Sequence, residues 1–279
     1  MLPILRTLRN SYVDIDSIYS GEMILFSDNE LTESLRSWCI TCIHENFGPS
    51  FEIEKQLELA KDDFIFKATQ TKKQFTNSET TKSLLENIIV NRYHRYSEHE
   101  IFYDVPRVRI IPPSIFLNSG ISYNYKPHRD TWYGGNQRQI NHWISVENVS
   151  SHSTFFIAPS YFDEPVNNSS KYFDLDKWDQ VYRPLASKNT EKEERPHPVP
   201  ESEIPNQARI SIALEKGHEI CFSGHHLHGS LPNITDKVRI SIDFRIEVAT
   251  NSYNPPPNID DESSGNYLKY MIKHPAFGT

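Results

Sequence analysis

The arrangement of the residues from Arg107 to Val248 places the strongest limit on the fold of this chain. Short runs rich in Ile, Val, Phe, Tyr and Thr alternate there with clusters of Pro, Gly, Asn and Ser. This strand-and-turn pattern is typical of an antiparallel sandwich or barrel. Strands are predicted at Arg107 to Phe116, Ser122 to Tyr125, Gln139 to Val146, Thr154 to Ala158, Ala208 to Leu214, His218 to Phe222 and Arg239 to Val248.

The flanking regions differ from this central part. Helical patterns are predicted at Asn29 to Phe47, Phe51 to Thr69 and Ser78 to Tyr93, and a last short helix at Tyr267 to Lys273 follows the break NPPPNIDDESSG. A chain of 279 residues can fold as one large domain. We therefore expect a mostly β fold with flanking helices in a single domain, residues 1–279. It would have a helical part at 1–106, a β core at 107–248 and a tail at 249–279.

A long charged segment interrupts the β-rich part at about Asp163 to Gln207. Its apolar content is small, and it contains the run SKNTEKEERPHPVPESE. A loop of this length inside a domain is usually a lid or a binding loop. We predict a lid that is mobile without substrate and that offers Trp178 and Tyr182 as substrate contacts.

The composition of the chain limits the classes of partner that it can bind. The formal net charge is −8, and no basic stripe along the sequence would follow a phosphate backbone, which argues against nucleic acid. No Lys and Arg cluster near the predicted barrel mouth is evident from the sequence. No apolar run approaches the ~20 residues of a membrane span. These features favour a cytoplasmic protein with a small-molecule substrate; they do not indicate the oligomeric state.

The three cysteines, Cys39, Cys42 and Cys221, are an odd number in a long chain. This argues against a disulfide framework and for a reducing compartment. Cys39 and Cys42 form a CxxC, but they lie within a predicted helix rather than at the helix start that follows a strand in redox proteins. We predict that both thiols are buried and unreactive.

Candidate metal ligands concentrate in two windows, KPHRDTWYGG at 126–135 and FSGHHLHGSLPNITDKVRIS at 222–241. His128 and Asp130 are two residues apart at a predicted strand end, so both side chains would project from one face. Two histidines and one carboxylate bind iron(II) while leaving coordination positions open. The second window supplies the further histidine, and its candidates are His218, His225, His226 and His228. Strand alternation would place His226 and His228 on one face.

The two windows together resemble the iron(II) and 2-oxoglutarate dioxygenases of the phytanoyl-CoA hydroxylase type. The matching residues are His128-Arg129-Asp130, the run HGSLPN that begins at His228, and Arg239, eleven residues after that histidine. The resemblance covers roughly Arg107 to Glu247. It implies a double-stranded β-helix, a jelly-roll barrel of the cupin-like kind. It also implies that His228 rather than His226 is the third ligand, and that Arg239 pairs with the distal carboxylate of 2-oxoglutarate beside Ser241.

The resemblance further implies iron(II), 2-oxoglutarate and O2 as cofactors. The expected reaction is hydroxylation of an unactivated carbon of a small metabolite or natural-product intermediate, with release of succinate and CO2. Asp130 argues against halogenation, since related halogenases have a small residue there. Desaturation, ring closure and epimerisation begin with the same hydrogen abstraction and stay open. Two other classes also stay open: a cupin-like metal-binding barrel without 2-oxoglutarate chemistry (isomerase, sensor or binding protein), and an inactive relative.

Residues around the site are predicted from strand alternation on Gln139 to Val146. Asn141 and Trp143 share a face, and we expect both to face the co-substrate. Arg129 lies between the two ligands of the first window, so alternation directs it away from the metal. Thr131, Trp132 and Tyr133 follow the ligands, and substrate contacts are expected there.

Overall fold

The protein is described by a computed structural model that covers residues 5–8, 12–27, 30–49, 58–188 and 192–278. The strands are β1 Leu5–Leu8, β2 Met23–Phe26, β3 Glu100–Tyr103, β4 Arg107–Ile111, β5 Gln139–Ser145, β6 Phe155–Ile157, β7 Ile210–Ser211, β8 Glu219–Ser223, β9 His228–Ser230, β10 Arg239–Ala249 and β11 Ile272–Lys273. The α-helices are α1 Ile15–Tyr19, α2 Glu30–Phe47, α3 Lys61–Thr76, α4 Glu79–Tyr93 and α5 Leu175–Lys177.

Two sheets organise these strands. The larger has the order β1-β2-β8-β5-β10-β3-β11, and β4 also pairs with β10; the smaller has the order β7-β6-β9. Every pairing is antiparallel except β1 with β2. The predicted antiparallel β core with flanking helices is therefore observed, although the α-helices contain at least as many of the described residues as the strands. A closed jelly-roll barrel is not shown, because neither sheet closes among the described strands.

Strand β10 has polar residues on one face of the large sheet and apolar residues on the other. Successive side chains of a strand point to opposite faces, so Arg239, Ser241, Asp243 and Arg245 share one face. The alternate residues Ile240, Ile242, Phe244 and Ile246 are buried in the main core with apolar residues of α2, α3 and α4. The register places Asp243 opposite Trp143 and Arg245 opposite Asn141. The large sheet thus presents one face to the helices and the other to a cavity.

Local signals explain the helix bounds. Helix α3 begins at Lys61 with Asp62 and Asp63 in its first turn, where carboxylates favour the helix dipole. Helix α4 begins after Ser78, whose hydroxyl accepts a hydrogen bond from the Thr80 amide. The second predicted helix was placed too early: it ends at Thr76 rather than Thr69, and the part of that prediction at 51–57 lies outside the described residues.

Several other elements differ from the prediction. No strand forms at Ser122 to Tyr125; a 3-10 turn at Gly120–Ser122 takes its place, and Gly120 has φ 57°, which glycine adopts readily. The last predicted helix is a 3-10 turn, Tyr267–Tyr270, followed by β11 against β3. The sequence pattern missed β2 and β3. Each of these strands is only four residues long, too short for a clear alternation to emerge.

The CxxC pair lies on α2 as predicted. Both side chains are buried in the main core, and burial raises the pKa of Cys39 and of Cys42. Such thiols are poor nucleophiles, because the thiolate is the reactive form. Among the helices that the structure describes, none combines the length and apolar character needed to cross a membrane.

Candidate metal and co-substrate site

His128, Asp130 and His228 come together although the last lies a hundred residues further along the chain. The backbones of His128 and His228 form an isolated antiparallel bridge, with reciprocal N–H to O distances of 2.8 and 2.9 Å. Asp130 begins the 3-10 turn Asp130–Tyr133 directly afterwards. One ligand atom from each of the three residues lies within 4.8 Å of the others, which fits a single metal ion.

Hydrogen bonds orient both imidazole rings. His128 Nδ1 lies 2.7 Å from the Lys126 carbonyl oxygen, and His228 Nδ1 lies 2.9 Å from the His226 carbonyl oxygen. A carbonyl can only accept, so the proton of each ring is on Nδ1 and the Nε2 lone pair is free for a metal. Each Nε2 faces Asp130 Oδ1, at 3.4 Å from His128 and 3.7 Å from His228.

Asp130 is held by residues of the neighbouring strands. Gln139 Nε2 donates to Asp130 Oδ2 at 2.8 Å, and Arg245 Nε lies 3.7 Å from the same oxygen. Burial alone raises the pKa of Asp130. The neighbouring His128 and His228 rings and the charge of Arg245 outweigh burial, so this pKa lies well below its usual range. The carboxylate is ionised at neutral pH, as a metal ligand must be.

His225 and His226 do not join this group. Strand β9 begins only at His228, so the residues before it form a turn and the expected alternation of His226 with His228 does not apply. The His226 ring lies between two backbone carbonyls, with Nε2 at 3.1 Å from Gly21 and Nδ1 at 3.2 Å from Ser223. Its contribution to the cluster is the carbonyl that orients His228.

Arg239 is a buried cation without a counter-ion. Its side chain forms no hydrogen bond or ion pair with the described residues, its Nε is inaccessible to solvent, and only 8% of its surface is exposed. Burial and the charge of Arg109 lower the pKa of Arg239 to about 10, so the guanidinium stays charged at neutral pH. Ser241, on the same strand face, has a buried hydroxyl that also lacks a partner. Two such orphaned groups fit a carboxylate-bearing ligand.

Asn141 and Trp143 both line the cavity that holds the three candidate ligands and Arg239. The Asn141 amide oxygen accepts a 2.9 Å hydrogen bond from Gln139 Nε2. Of the three residues after the ligands, only Tyr133 lines the cavity. Trp132 is instead fully buried in a separate apolar cluster, and its Nε1 donates to Asp260 Oδ1 at 2.8 Å. A substrate-contact role for Thr131 and Trp132 is therefore not supported.

The C-terminal segment stabilises the segment His128–Asp130, a role that the sequence pattern did not indicate. Arg129 points away from the cavity, is fully buried, and its Nε lies 2.9 Å from Asp260 Oδ2. The same guanidinium also donates to the Tyr161 and Glu164 carbonyls. The sequence indicated that Arg129 points away from the metal, but its partner lies 131 residues away and could not be inferred.

The cavity has a volume of about 540 Å³ and an aromatic wall beside the ligands. The Tyr125 and Tyr133 rings lie 5.7 and 5.1 Å from the His128 ring. Trp178, from the predicted lid, packs against Tyr133 at 6.3 Å. Seven cationic residues also line the cavity, against the two carboxylates Asp130 and Asp243: Lys72, Arg107, Arg109, Arg183, Arg195, Arg239 and Arg245. The fold thus assembles the cationic cluster that the sequence did not make evident.

A second group with metal-ligand chemistry, His142, Glu219 and Cys221, is fully buried behind the sheet. Its polar atoms already have protein partners. Glu219 lies 2.9 Å from Arg92 and 2.6 Å from His142 Nδ1, and the Tyr93 hydroxyl lies 2.7 Å from His142 Nε2. This is a satisfied structural network.

The sequence matches no protein-family model and no curated protein. Among solved structures, the apo non-haem monooxygenase ThoJ is similar over 90% of this chain and 89% of that chain, at 13% identity and a TM-score of 0.50. At this identity the likeness concerns the fold alone. EvdO2 from Micromonospora carbonacea var. aurantiaca, in complex with 2-oxoglutarate, matches at 15% identity and a TM-score of 0.40. That match covers 66% of each chain, just under two thirds, and its score is too low to carry an inference.

Proposed function

We propose that this protein is a non-haem iron(II) and 2-oxoglutarate-dependent oxygenase that hydroxylates an unactivated carbon of a small metabolite or natural-product intermediate, releasing succinate and CO2. The observation that carries the proposal is one cavity containing both a 2-His-1-carboxylate group and an uncompensated buried arginine. A metal-binding barrel needs only the first of these. The fold likeness to the non-haem monooxygenase ThoJ agrees with the proposal.

His128, Asp130 and His228 would hold the metal, and Arg239 with Ser241 would bind the distal carboxylate of 2-oxoglutarate. Asn141 and Trp143 would contact the co-substrate on the floor of the cavity. When bound, iron(II) with 2-oxoglutarate and O2 supplies the oxidising power for attack on a C–H bond. The protein itself orients the ligands, excludes water and keeps Asp130 ionised. In this proposal the two sheets form the open-ended jelly-roll of such oxygenases.

An anaerobic titration tests the proposal. Iron(II) is added to the protein, then 2-oxoglutarate, and the visible absorption spectrum is followed. The proposal predicts a weak charge-transfer band that saturates with one 2-oxoglutarate per chain and that is absent in Asp130→Ala. A protein that binds iron(II) but gives no band and no heat of binding with 2-oxoglutarate would instead be the cupin-like metal barrel.

A further inference from the structure

The cavity-lining cations exceed the carboxylates that neutralise them. Three more carboxylates lie behind the lining: Asp104 contacts Arg245 at 3.0 Å, Glu193 contacts Arg195 at 2.7 Å, and Asp179 contacts Arg183 at 2.6 Å. Seven cationic groups therefore face five carboxylates in a chain whose net charge is −8. The proposed cofactors leave this excess unchanged, because the two positive charges of iron(II) and the two negative charges of 2-oxoglutarate offset each other.

Lys72 is the lining cation, other than Arg239, that has no carboxylate partner among the described residues. Its Nζ donates to the Ile121 carbonyl at 2.7 Å and forms no ion pair. Arg195 donates to the adjacent carbonyl, that of Gly120, at 3.0 Å. Two successive carbonyls of one 3-10 turn therefore accept hydrogen bonds from a lysine and an arginine that both line the cavity, and Arg109 lines it as well.

The charges of Arg109 and Arg195 oppose that of Lys72, although each arginine has a carboxylate partner of its own, Asp243 at 2.6 Å and Glu193 at 2.7 Å. Burial, followed by the charges of Arg109 and Arg195, lowers the pKa of Lys72 to about 7, although Asp243 opposes the shift. A lysine that serves only the fold would gain from a neighbouring carboxylate or from solvent. Lys72 has instead a carbonyl partner and cationic neighbours, an arrangement that favours an incoming negative charge.

Aromatic rings connect the cations at the cavity wall with the candidate metal ligands. The Arg109 guanidinium lies 5.4 Å from the Tyr125 ring centre, and that ring lies 5.7 Å from the His128 ring. The Arg195 guanidinium lies 5.5 Å from the Trp178 ring centre. An apolar substrate body could therefore pack along the aromatic wall, with its reacting carbon toward the metal ligands and its charged end toward Lys72.

We propose that Lys72, with Arg109 and Arg195, forms a subsite for an oxyanion, so that the substrate is a small molecule with an apolar body and a carboxylate or phosphate group. This inference rests on the proposed function, which places the reacting carbon of the substrate beside the metal. The anion subsite centres on Lys72 and the 2-oxoglutarate subsite on Arg239, and Arg109 neighbours both, because it lies opposite Ser241 in the pairing of β4 with β10.

The test uses ligands that differ only in charge or in the kind of oxyanion. Benzoate, phenyl phosphate and the neutral benzamide are titrated by calorimetry into protein loaded anaerobically with iron(II) and 2-oxoglutarate. We expect benzoate or phenyl phosphate to bind at least tenfold more tightly than benzamide, and the tighter of the two identifies the oxyanion. Equal binding of all three probes would overturn the proposal.

Variants separate the two anion sites. Lys72→Met should reduce the preference for the charged probe to within about threefold while leaving 2-oxoglutarate affinity unchanged, and Lys72→Arg should restore it. A preserved preference in Lys72→Met would overturn the proposal; Lys72→Gln serves if that variant does not fold. If wild-type protein fails to bind 2-oxoglutarate, the proposed function fails, and the same titrations on metal-free Arg239→Met protein still decide the anion subsite.

Discussion

The Gln139 amide donates a 2.8 Å hydrogen bond to Asp130 Oδ2, the carboxylate oxygen that does not face the two histidines. Asp130 Oδ1 is the oxygen near both imidazoles, so Gln139 determines which oxygen is offered to a metal. Gly135 makes the arrangement possible, because a Cβ at that position would lie 2.6 Å from the Asp130 carbonyl oxygen and 3.0 Å from Gln139 Oε1.

Gln139→Leu should therefore weaken metal binding without removing a ligand. Loss of a hydrogen-bond partner of a metal ligand typically costs about 10- to 100-fold in affinity. Calorimetric titration with iron(II) under anaerobic conditions measures the effect, and the exposed Gln207→Leu is the matched control. Unchanged affinity in Gln139→Leu would mean that the orientation of Asp130 does not depend on this bond.

The ligand assignment is tested by alanine variants of the histidines and of Asp130. His128→Ala, Asp130→Ala and His228→Ala should each abolish turnover and weaken iron(II) binding. His225→Ala and His226→Ala should keep measurable activity, because the His226 ring contacts backbone carbonyls and only its own carbonyl orients His228. The assignment is wrong if His226→Ala loses the metal and His228→Ala retains it.

The sequence could predict the site better than its surroundings. Spacing and residue type indicated His128 and Asp130, the family resemblance selected His228 among four histidines, and strand parity gave the shared face of Arg239 and Ser241, since ligand chemistry and strand parity are local properties. Lys72 lines the cavity because helix α3 packs against the sheet. Asp260, which contacts Arg129, belongs to the C-terminal tail. Such contacts between distant segments leave no periodic signal. Arg245 is an intermediate case. The sequence indicated that it shares a face of β10 with Arg239, but not that it lies close to Asp130.

The buried network behind the sheet should contribute strongly to stability. Glu219→Gln removes the carboxylate that contacts Arg92 at 2.9 Å in a fully buried position, a kind of change that costs about 3 to 5 kcal/mol. Glu33→Gln, at a half-exposed pair on α2, should cost about 1 kcal/mol or less. Chemical denaturation measures both free energies of unfolding. Similar losses in the two variants would contradict the assigned role of Glu219.

The stability difference at Glu219 should depend on pH. Although burial raises its pKa, Arg92 and His142 lower it to about 2 from an ordinary 4.5. A lowered pKa stabilises the folded state above the ordinary value, and that contribution is lost as pH falls through the folded value. The difference in unfolding free energy between wild type and Glu219→Gln should therefore be constant above pH 5 and shrink between about pH 4.5 and 2. A difference that grew on acidification would contradict a lowered pKa of Glu219 in the folded protein.

The segment from about Asp163 to Gln207 should close further over the cavity when ligands bind, since it already contributes Trp178 and Arg195 to the lining. Limited trypsin digestion can measure this at the exposed Lys188 and Lys192. Cleavage should slow several-fold when iron(II), 2-oxoglutarate and the tighter oxyanion probe are present together. Cleavage at the exposed Lys216, on a turn outside the segment, is the internal control. Equal rates with and without ligands would exclude a lid role.

The affinity of Arg239→Met for 2-oxoglutarate decides whether Arg239 anchors the co-substrate. Removing one partner of a desolvated charge pair costs about 3 to 5 kcal/mol, which at 1.4 kcal/mol per factor of ten is a loss of hundreds-fold or more. The measurement is an anaerobic titration of the iron(II) protein with 2-oxoglutarate and with 2-oxobutyrate, which lacks the distal carboxylate; Lys237→Met, at the exposed turn before β10, is the control. Arg239→Met should lose 2-oxoglutarate affinity at least a hundredfold, keep iron(II) binding and no longer discriminate between the two oxoacids. Wild-type 2-oxoglutarate affinity in Arg239→Met would show that Arg239 does not bind the distal carboxylate.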